Sequence, residues 1–349
     1  MRVLWIAPWG RALARVYLDE MVRQGHEVLL VTTAKHFEKS EAVDYERIIT
    51  GDPKQPSSLP SVLAALAAAR RLRPDVVVAE EFHDPRLLPL LGMAPLATLV
   101  HDDAPHGAAE TKSWHHRWVF RRTAQRAALL VAYSEHVAAA VRARSTLPVA
   151  VVPLPSDAGE QQVPPIVPAA QRRDMVLIGR IGPYKNVPQT LEAWRRHVAS
   201  DAYRGDRLLV IGNGPEESVG PLPEACEWRR ERYRFADLLP TLARAKASLA
   251  YYSSATQSGV QVISLQCATT AIVADVGGLP EYLPAGEKPV PADDVAGLAA
   301  ELGRLADPAL AEARGRAGRA HYDAVHHPTP ATSSLLAALD RLITTKGRP

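Results

Sequence analysis

The run Gly179-Arg180-Ile181-Gly182-Pro183-Tyr184-Lys185-Asn186, placed after a short apolar stretch, holds the strongest chemistry in this sequence. Glycine lets a backbone approach a ligand closely. A helix starting at Val187 would turn free N–H groups and its positive dipole end toward the same spot. Arg180 adds a planar fork and Lys185 a mobile point charge, both suited to phosphate oxygens. Together they could neutralise a pyrophosphate, although a solvent-facing Arg and Lys at a tight turn would look the same. The Walker pattern GxxxxGK[ST] is absent. A second turn, Gly212-Asn213-Gly214-Pro215-Glu216-Glu217, begins like GxGxxG but carries Glu217 where the third glycine belongs, which argues against a dinucleotide fingerprint. A third turn ends in Thr256-Gln257-Ser258-Gly259-Val260. Free amides at Gly259 and Val260 could cradle another oxyanion, or the turn could be an ordinary capped one.

The first half offers less. Glu80 and Glu81 follow an apolar run, where they could position an acceptor or form a solvated pair. Residues 113–122 mix Trp114, Trp118 and Phe120 with cations on a predicted helix. Three readings stay open there: packing of Trp118 and Phe120, contact with a membrane interface, or contact with an acceptor.

These turns need elements to hold them. Short Val-, Ile- and Leu-rich runs recur at Val3–Ala7, Val28–Thr32, Val76–Ala79, Ala97–Val100, Leu129–Ala132 and Val149–Val152, then at Met175–Gly179, Leu208–Gly212, Ser248–Tyr252 and Ala271–Ala274. Such runs read as strands buried on both faces of a parallel sheet, with helix-like stretches such as Ala12–Gln24 and Ser61–Leu72 between them. Strand–helix alternation implies βαβ units. Residues 153–172, with Pro153, Pro155, Pro164, Pro165 and Pro168, break the pattern and read as an inter-domain linker. The expected organisation is α/β, with two doubly wound Rossmann-like domains at 1–160 and 161–330 and a cleft between them. A terminal helix at 331–349 is expected to pack back on the first domain. In such sheets, ligands bind outside the carboxyl ends of the strands.

Composition narrows the classes. The 349 residues are 47% hydrophobic, enough for sizeable cores. Lys and Arg number 41 against 38 Asp and Glu, a formal net charge of +3. That balance does not make the phosphate-neutralising face of a nucleic-acid binder. Two cysteines, Cys226 and Cys267, build neither a disulfide framework nor a CxxC zinc site. The longest apolar stretch, Leu87–Val100, is about 14 residues and holds two prolines, whereas a spanning helix needs roughly 20. A cytoplasmic protein is expected, with peripheral contact at the inner membrane face through 113–122 as an option. Ala-, Arg- and Pro-rich usage fits a bacterial, GC-rich source.

The ordered segments LIGRIGPYKNVPQTLEAW (177–194), LLVIGNGPE (208–216) and AIVADVGGLPEYL (271–283) resemble the nucleotide-sugar half of glycosyltransferase family 4, retaining enzymes of GT-B fold. MRVLWIAPW at the start, VRQGHEVLLVTT (22–33), RPDVVVAE (73–80), LVHD (99–102), LLVAYSEHVAAAV (129–141) and VVPLPSD (151–157) resemble the other half more loosely. The family usually carries two glutamates eight residues apart around the third turn. Counted back from VADVGG, those positions fall on Thr256 and Ser264, neither acidic. Gln257-Ser258-Gly259 resembles a subset of the family that reads TQSGV and lacks the pair.

The resemblance implies that Arg180 and Lys185 bind the donor diphosphate and stabilise the leaving group. Gly179, Gly182, Asn213, Gly259 and the residues around them would line the donor. His101 would lie over the donor sugar, and Gly10 would sit in a loop approaching the phosphates. It also implies no metal and no other cofactor, with a UDP-, GDP- or dTDP-sugar as co-substrate. His101, Asp102, Asp103 and His106 have metal-ligating side chains, but the resemblance gives them no metal. The expected reaction moves a hexosyl group to a hydroxyl of a glycan, glycolipid or small molecule. Two other readings remain: a nucleotide-sugar or glycan binding module without turnover, and a sugar-nucleotide epimerase or hydrolase.

Overall fold

The computed structural model describes residues 1–34, 41–53, 55–80, 82, 84–102, 114–231 and 233–346, with side chains for all of these except 114–117, 120, 235 and 346. It divides into two compact units. Unit 1 is Met1–Pro155 with Pro328–Pro349, and unit 2 is Ser156–His327.

Unit 1 runs β1 (Arg2–Ile6), α1 (Arg11–Arg23), β2 (Glu27–Thr33), β3 (Glu46–Ile49), α2 (Leu59–Leu72), β4 (Val76–Ala79), β5 (Leu96–Val100), α3 (Trp114–Arg126), β6 (Ala127–Ala132), α4 (Glu135–Arg142) and β7 (Val149–Val151). Its described strands pair in the order β3-β2-β1-β4-β5-β6-β7, all parallel. The sequence order therefore reverses between β1 and β4. Every residue of VVVA in β4 is buried, as a strand covered on both faces requires. Arg11 opens α1 buried, forked onto Glu46 of β3 at 2.6 and 2.7 Å.

Unit 2 runs β8 (Met175–Ile178), α5 (Val187–Val198), β9 (Leu208–Ile211), β10 (Cys226–Arg229), α6 (Phe235–Arg244), β11 (Ala247–Ala250), α7 (Gly259–Gln266), β12 (Thr270–Val273), α8 (Val295–Leu305) and α9 (Pro308–His321). The strand order is β10-β9-β8-β11-β12, again parallel. Alternate residues of β8 feed two cores. Met175 and Leu177 pack with Leu191 and Trp194 of α5, whereas Val176 and Ile178 pack with Leu239 and Leu242 of α6. The reversal here lies between β8 and β11, so the turns after those strands meet at one switch point.

The proline-rich stretch is not a free linker. Ala158 and Val167 join the unit 2 core. Glu160 accepts hydrogen bonds from Gln266 at 2.8 Å and Tyr322 at 2.7 Å, and pairs with Arg319 at 3.0 Å. The Arg172 guanidinium donates to the Val167, Ala245 and Ala268 carbonyls. Prolines leave carbonyls and side chains, rather than a strand ladder, to tie the segment down. The unit boundary accordingly falls at 155/156, not at 160/161. The chain returns to unit 1 at Pro328, where α10 (Pro328–Lys346) packs on α1 and Arg23 donates to Thr329.

Candidate functional site

Gly179 leaves β8 at φ +136°, and a Cβ there would lie 2.6 Å from the Lys185 Nζ. The absent side chain is the space that the ammonium occupies. Gly212 leaves β9 at φ +144°, and its Cβ would meet the Gly179 carbonyl at 1.8 Å. The Ile181 amide donates to the Asn213 carbonyl at 2.9 Å. The first two glycine turns are thus knitted through backbone, and Asn213 contributes its carbonyl while its side chain stays exposed.

Lys185 is 4% exposed. The expectation of a solvent-facing or mobile lysine is corrected here: a one-turn 3-10 helix, Pro183–Lys185, turns the side chain inward. Its Nζ donates to the Ile178 carbonyl at 3.1 Å and to the Tyr252 hydroxyl at 2.6 Å. It lies 3.9 Å from the centre of the Tyr252 ring. Burial pushes its pKa down to about 8, and the nearby Arg180 charge adds to that fall. Arg180 itself is exposed, with no ion-pair partner among the described residues. One cation is held and one is open at the same strand end.

The third turn locks onto the first. The Ser253 amide donates to the Tyr184 carbonyl at 2.9 Å. Ser258 caps α7, its hydroxyl accepting from the Gln261 amide at 3.3 Å. A Cβ on Gly259 would meet nothing within 4 Å, so the first turn of α7 is open at its N-terminus. Thr256 is buried and Gln257 half-buried beside it. The Val260 side chain belongs to the core, leaving only its amide for a ligand. Ser264 does not reach this mouth. It is buried in α7, and its hydroxyl donates to the Val260 carbonyl at 2.6 Å. Helical geometry places Ser264 one turn below Val260, which corrects its assignment as a donor contact.

Gly277, at φ +55°, fixes this turn from the far side, because its Cβ would lie 1.6 Å from the Ala255 carbonyl. Two backbones cannot yield as a side chain can. Gly277→Ala is expected to cost roughly 3 kcal/mol or more of stability. Gly286→Ala, also at positive φ (+87°) but with nothing within 4 Å, is expected to cost only about 1 kcal/mol. Equal urea midpoints for the two variants would refute this reading of the turn.

The profile described as Glycosyltransferase Family 4 matches residues 14–159, and that described as Glycosyl transferases group 1 matches residues 172–307. The chain belongs to glycosyltransferase family 4. This glycosyltransferase has the GT-B pair of parallel-sheet α/β domains. Sucrose-phosphate synthase from Thermosynechococcus elongatus superposes with a TM-score of 0.71 at 16% identity, over 99% of this chain and 100% of that one. Anabaena HepE in complex with UDP gives 0.69 at 15% identity, over 98% and 100%. The same protein in complex with UDP-glucose gives 0.65 at 14%, over 98% and 100%. No curated protein sequence matches the chain.

In unit 1 of the glycosyltransferase, the β1–β4 switch point is differently furnished. A Cβ on Gly10 would lie 2.1 Å from Glu80 Oε2. The space beside Gly10 is therefore filled by a carboxyl group. Glu80 is fully buried, so it is neither a solvated residue nor an open acceptor contact. The Trp5 indole N–H and the Gly10 amide lie near its carboxyl and favour the charged form a little, but no bond of full hydrogen-bond geometry closes. Burial outweighs them and pushes the carboxyl up to about 8.

The half-buried His101 follows β5, with its ring 4.7 Å from Trp9 and 5.3 Å from Tyr133, centre to centre. Trp9 is 53% exposed. On α3, Trp118 is exposed under the Arg122 guanidinium at 5.6 Å, while Val119 takes the buried position. Of the three readings left open for this stretch, packing of Trp118 is therefore not the one found. Glu81, Asp103, His106 and the Trp114 side chain lie outside the described residues. No described helix is long and apolar enough to cross a membrane.

Sequence reasoning missed Tyr252 and Gly277. The Tyr251-Tyr252 pair at the end of β11 was the available signal, since a polar-tipped aromatic at a switch point has a partner to find.

Proposed function

We propose that this glycosyltransferase moves a hexosyl group from a nucleoside-diphosphate sugar, held in unit 2, to an acceptor hydroxyl, with retention at the anomeric carbon and without a metal ion. The observation that carries this reading is a buried ammonium and a guanidinium with no ion-pair partner among the described residues, at one switch point beside the exposed N-terminus of α7. As the glycosidic bond breaks, negative charge grows on the departing diphosphate. Fixed donors aimed at that charge lower the barrier most, because they act more strongly on the transition state than on the ground state. Lys185 and Arg180 supply the positive charge that a metal ion would otherwise bring. The Gly259 and Val260 amides add the dipole end of a helix. Retention rests on the family kinship. With Ser264 turned inward, Thr256 and Gln257 are left to contact the sugar or ribose where the family usually has carboxylates.

Unit 1 would carry the acceptor, a glycan, glycolipid or small molecule, near His101 and Trp9. The exposed Trp118 and Arg122 on α3 offer an amphipathic acceptor a second surface. UDP-sugars are the first donors to try, given the HepE complexes.

The test is incubation with UDP-, GDP- and dTDP-hexoses, with and without a mixed panel of acceptors, followed by mass spectrometry. A hexose-shifted acceptor and free nucleoside diphosphate are expected. Binding without product would mean a binding module. Inversion at a ring carbon would mean an epimerase, and free sugar without acceptor a hydrolase.

A further inference from the structure

The Lys185 ammonium has three protons to place, and the protein gives it no carboxylate among the described residues. Its fixed partners are the Ile178 carbonyl at 3.1 Å and the Tyr252 hydroxyl at 2.6 Å. Tyr252 is 2% exposed, so its ring cannot drift. Its hydroxyl also lies near Ser258, the residue that caps α7. One phenol therefore bonds the buried cation and lies near the cap of the helix that opens at the exposed Gly259.

We propose that Tyr252 is a positioning residue, whose hydroxyl holds the Lys185 ammonium in register with the N-terminus of α7 so that both meet the same diphosphate. This rests on the reading of Lys185 as a donor-diphosphate ligand. The arrangement leaves the third ammonium proton for the incoming anion. It also explains why a lysine so deeply buried keeps a charge: the phenol oxygen accepts from it, and the ring face lies 3.9 Å away. The titratable and charged groups facing the ammonium are Arg180 and Tyr184 on its own turn and Tyr252 from the end of β11. Tyr233, ahead of α6, lies close to both tyrosines. Burial pushes Lys185 down to about 8 and Tyr252 up to about 12, so the lysine is the group that changes charge between pH 7 and 10.

The test is Tyr252→Phe, which removes one oxygen and keeps the ring. Titration calorimetry with the tightest of UDP, GDP and dTDP, from pH 7 to 9.5, reads the cation directly. In the unaltered protein, affinity is expected to fall as pH rises through about 8. In the variant, the fall should begin at lower pH, because the charged amine has lost an acceptor. Affinity at pH 7.5 should drop about tenfold, with little change in melting temperature. Adding Tyr252→Phe to Lys185→Met should cost nothing more. An unchanged affinity and pH limb would overturn the positioning role, as would loss of affinity in step with melting temperature. If Lys185→Met leaves diphosphate affinity intact, or if none of the three nucleotides binds the unaltered protein, the donor reading fails and the positioning role fails with it. A damaged Lys185→Met beside an unaffected Tyr252→Phe would overturn the positioning role alone.

Discussion

Lys185→Met is expected to lower kcat/KM by about 10²–10³, the usual loss for one preorganised donor at a developing charge, while leaving the protein at least as stable at pH 7. The two halves of this result have one cause. Burial holds the lysine at about 8 in the folded chain against 10.5 when unfolded, so the charged form is disfavoured by the fold. The difference corresponds to roughly 3 kcal/mol. The penalty is fully present below pH 8, shrinks as pH rises from 8, and is gone near 10.5, where the unfolded chain also loses the proton. Methionine keeps the apolar stem and removes the charge. The lost bonds to Ile178 and Tyr252 offset part of the gain, about 1 kcal/mol each. Urea unfolding at pH 7 and 10 should therefore show the variant's advantage shrinking with pH. A variant that loses melting temperature and activity in parallel would make Lys185 a structural residue.

The sequence carried the strands better than their surroundings. Near-continuous runs such as VVVA and MVLI announce strands covered on both faces. The edge strands β3 and β10 escaped because ERII and CEWR are short and half charged, without the continuous apolar run of a central strand. The glycine turns were legible as turns, since positive φ leaves few alternatives to glycine. What each turn makes room for was not legible. Gly179 admits the side chain of Lys185, Gly212 a carbonyl of the neighbouring turn, and Gly10 a carboxyl from β4. The last two partners are distant in sequence, and only the strand order brings them together, whereas Lys185 is folded back onto Gly179 by its own 3-10 turn. The inward turn of Ser264 follows from helical periodicity once α7 is known to begin at Gly259.

Glu80 sets the second large expectation. Its carboxyl is held near 8 by burial against 4.5 in an exposed chain. Folding is then unpenalised below pH 4.5, where both states are protonated. Stability is lost as pH rises from 4.5, because the unfolded chain releases a proton that the folded one keeps, and the loss levels off above 8. Glu80→Gln removes this titration. Between pH 5 and 7 the unaltered protein should lose roughly 2–3 kcal/mol of stability relative to the variant. The amide's own burial shifts the variant's curve by a constant and leaves the slope difference intact. Hydrogen exchange of the β1 and β4 amides at pH 5, 6 and 7 isolates unit 1 from unit 2. Parallel curves for the two proteins would mean that the carboxyl finds a charge partner in solution, and the buried, protonated Glu80 would have to be given up. A divergence of the expected size would mean that at neutral pH the β1–β4 switch point holds a buried, neutral acid beside Gly10 and Trp5. On the proposed reading unit 2 would meet its ligand with cations, and the two halves of the chain would then carry different chemistry on the same strand order.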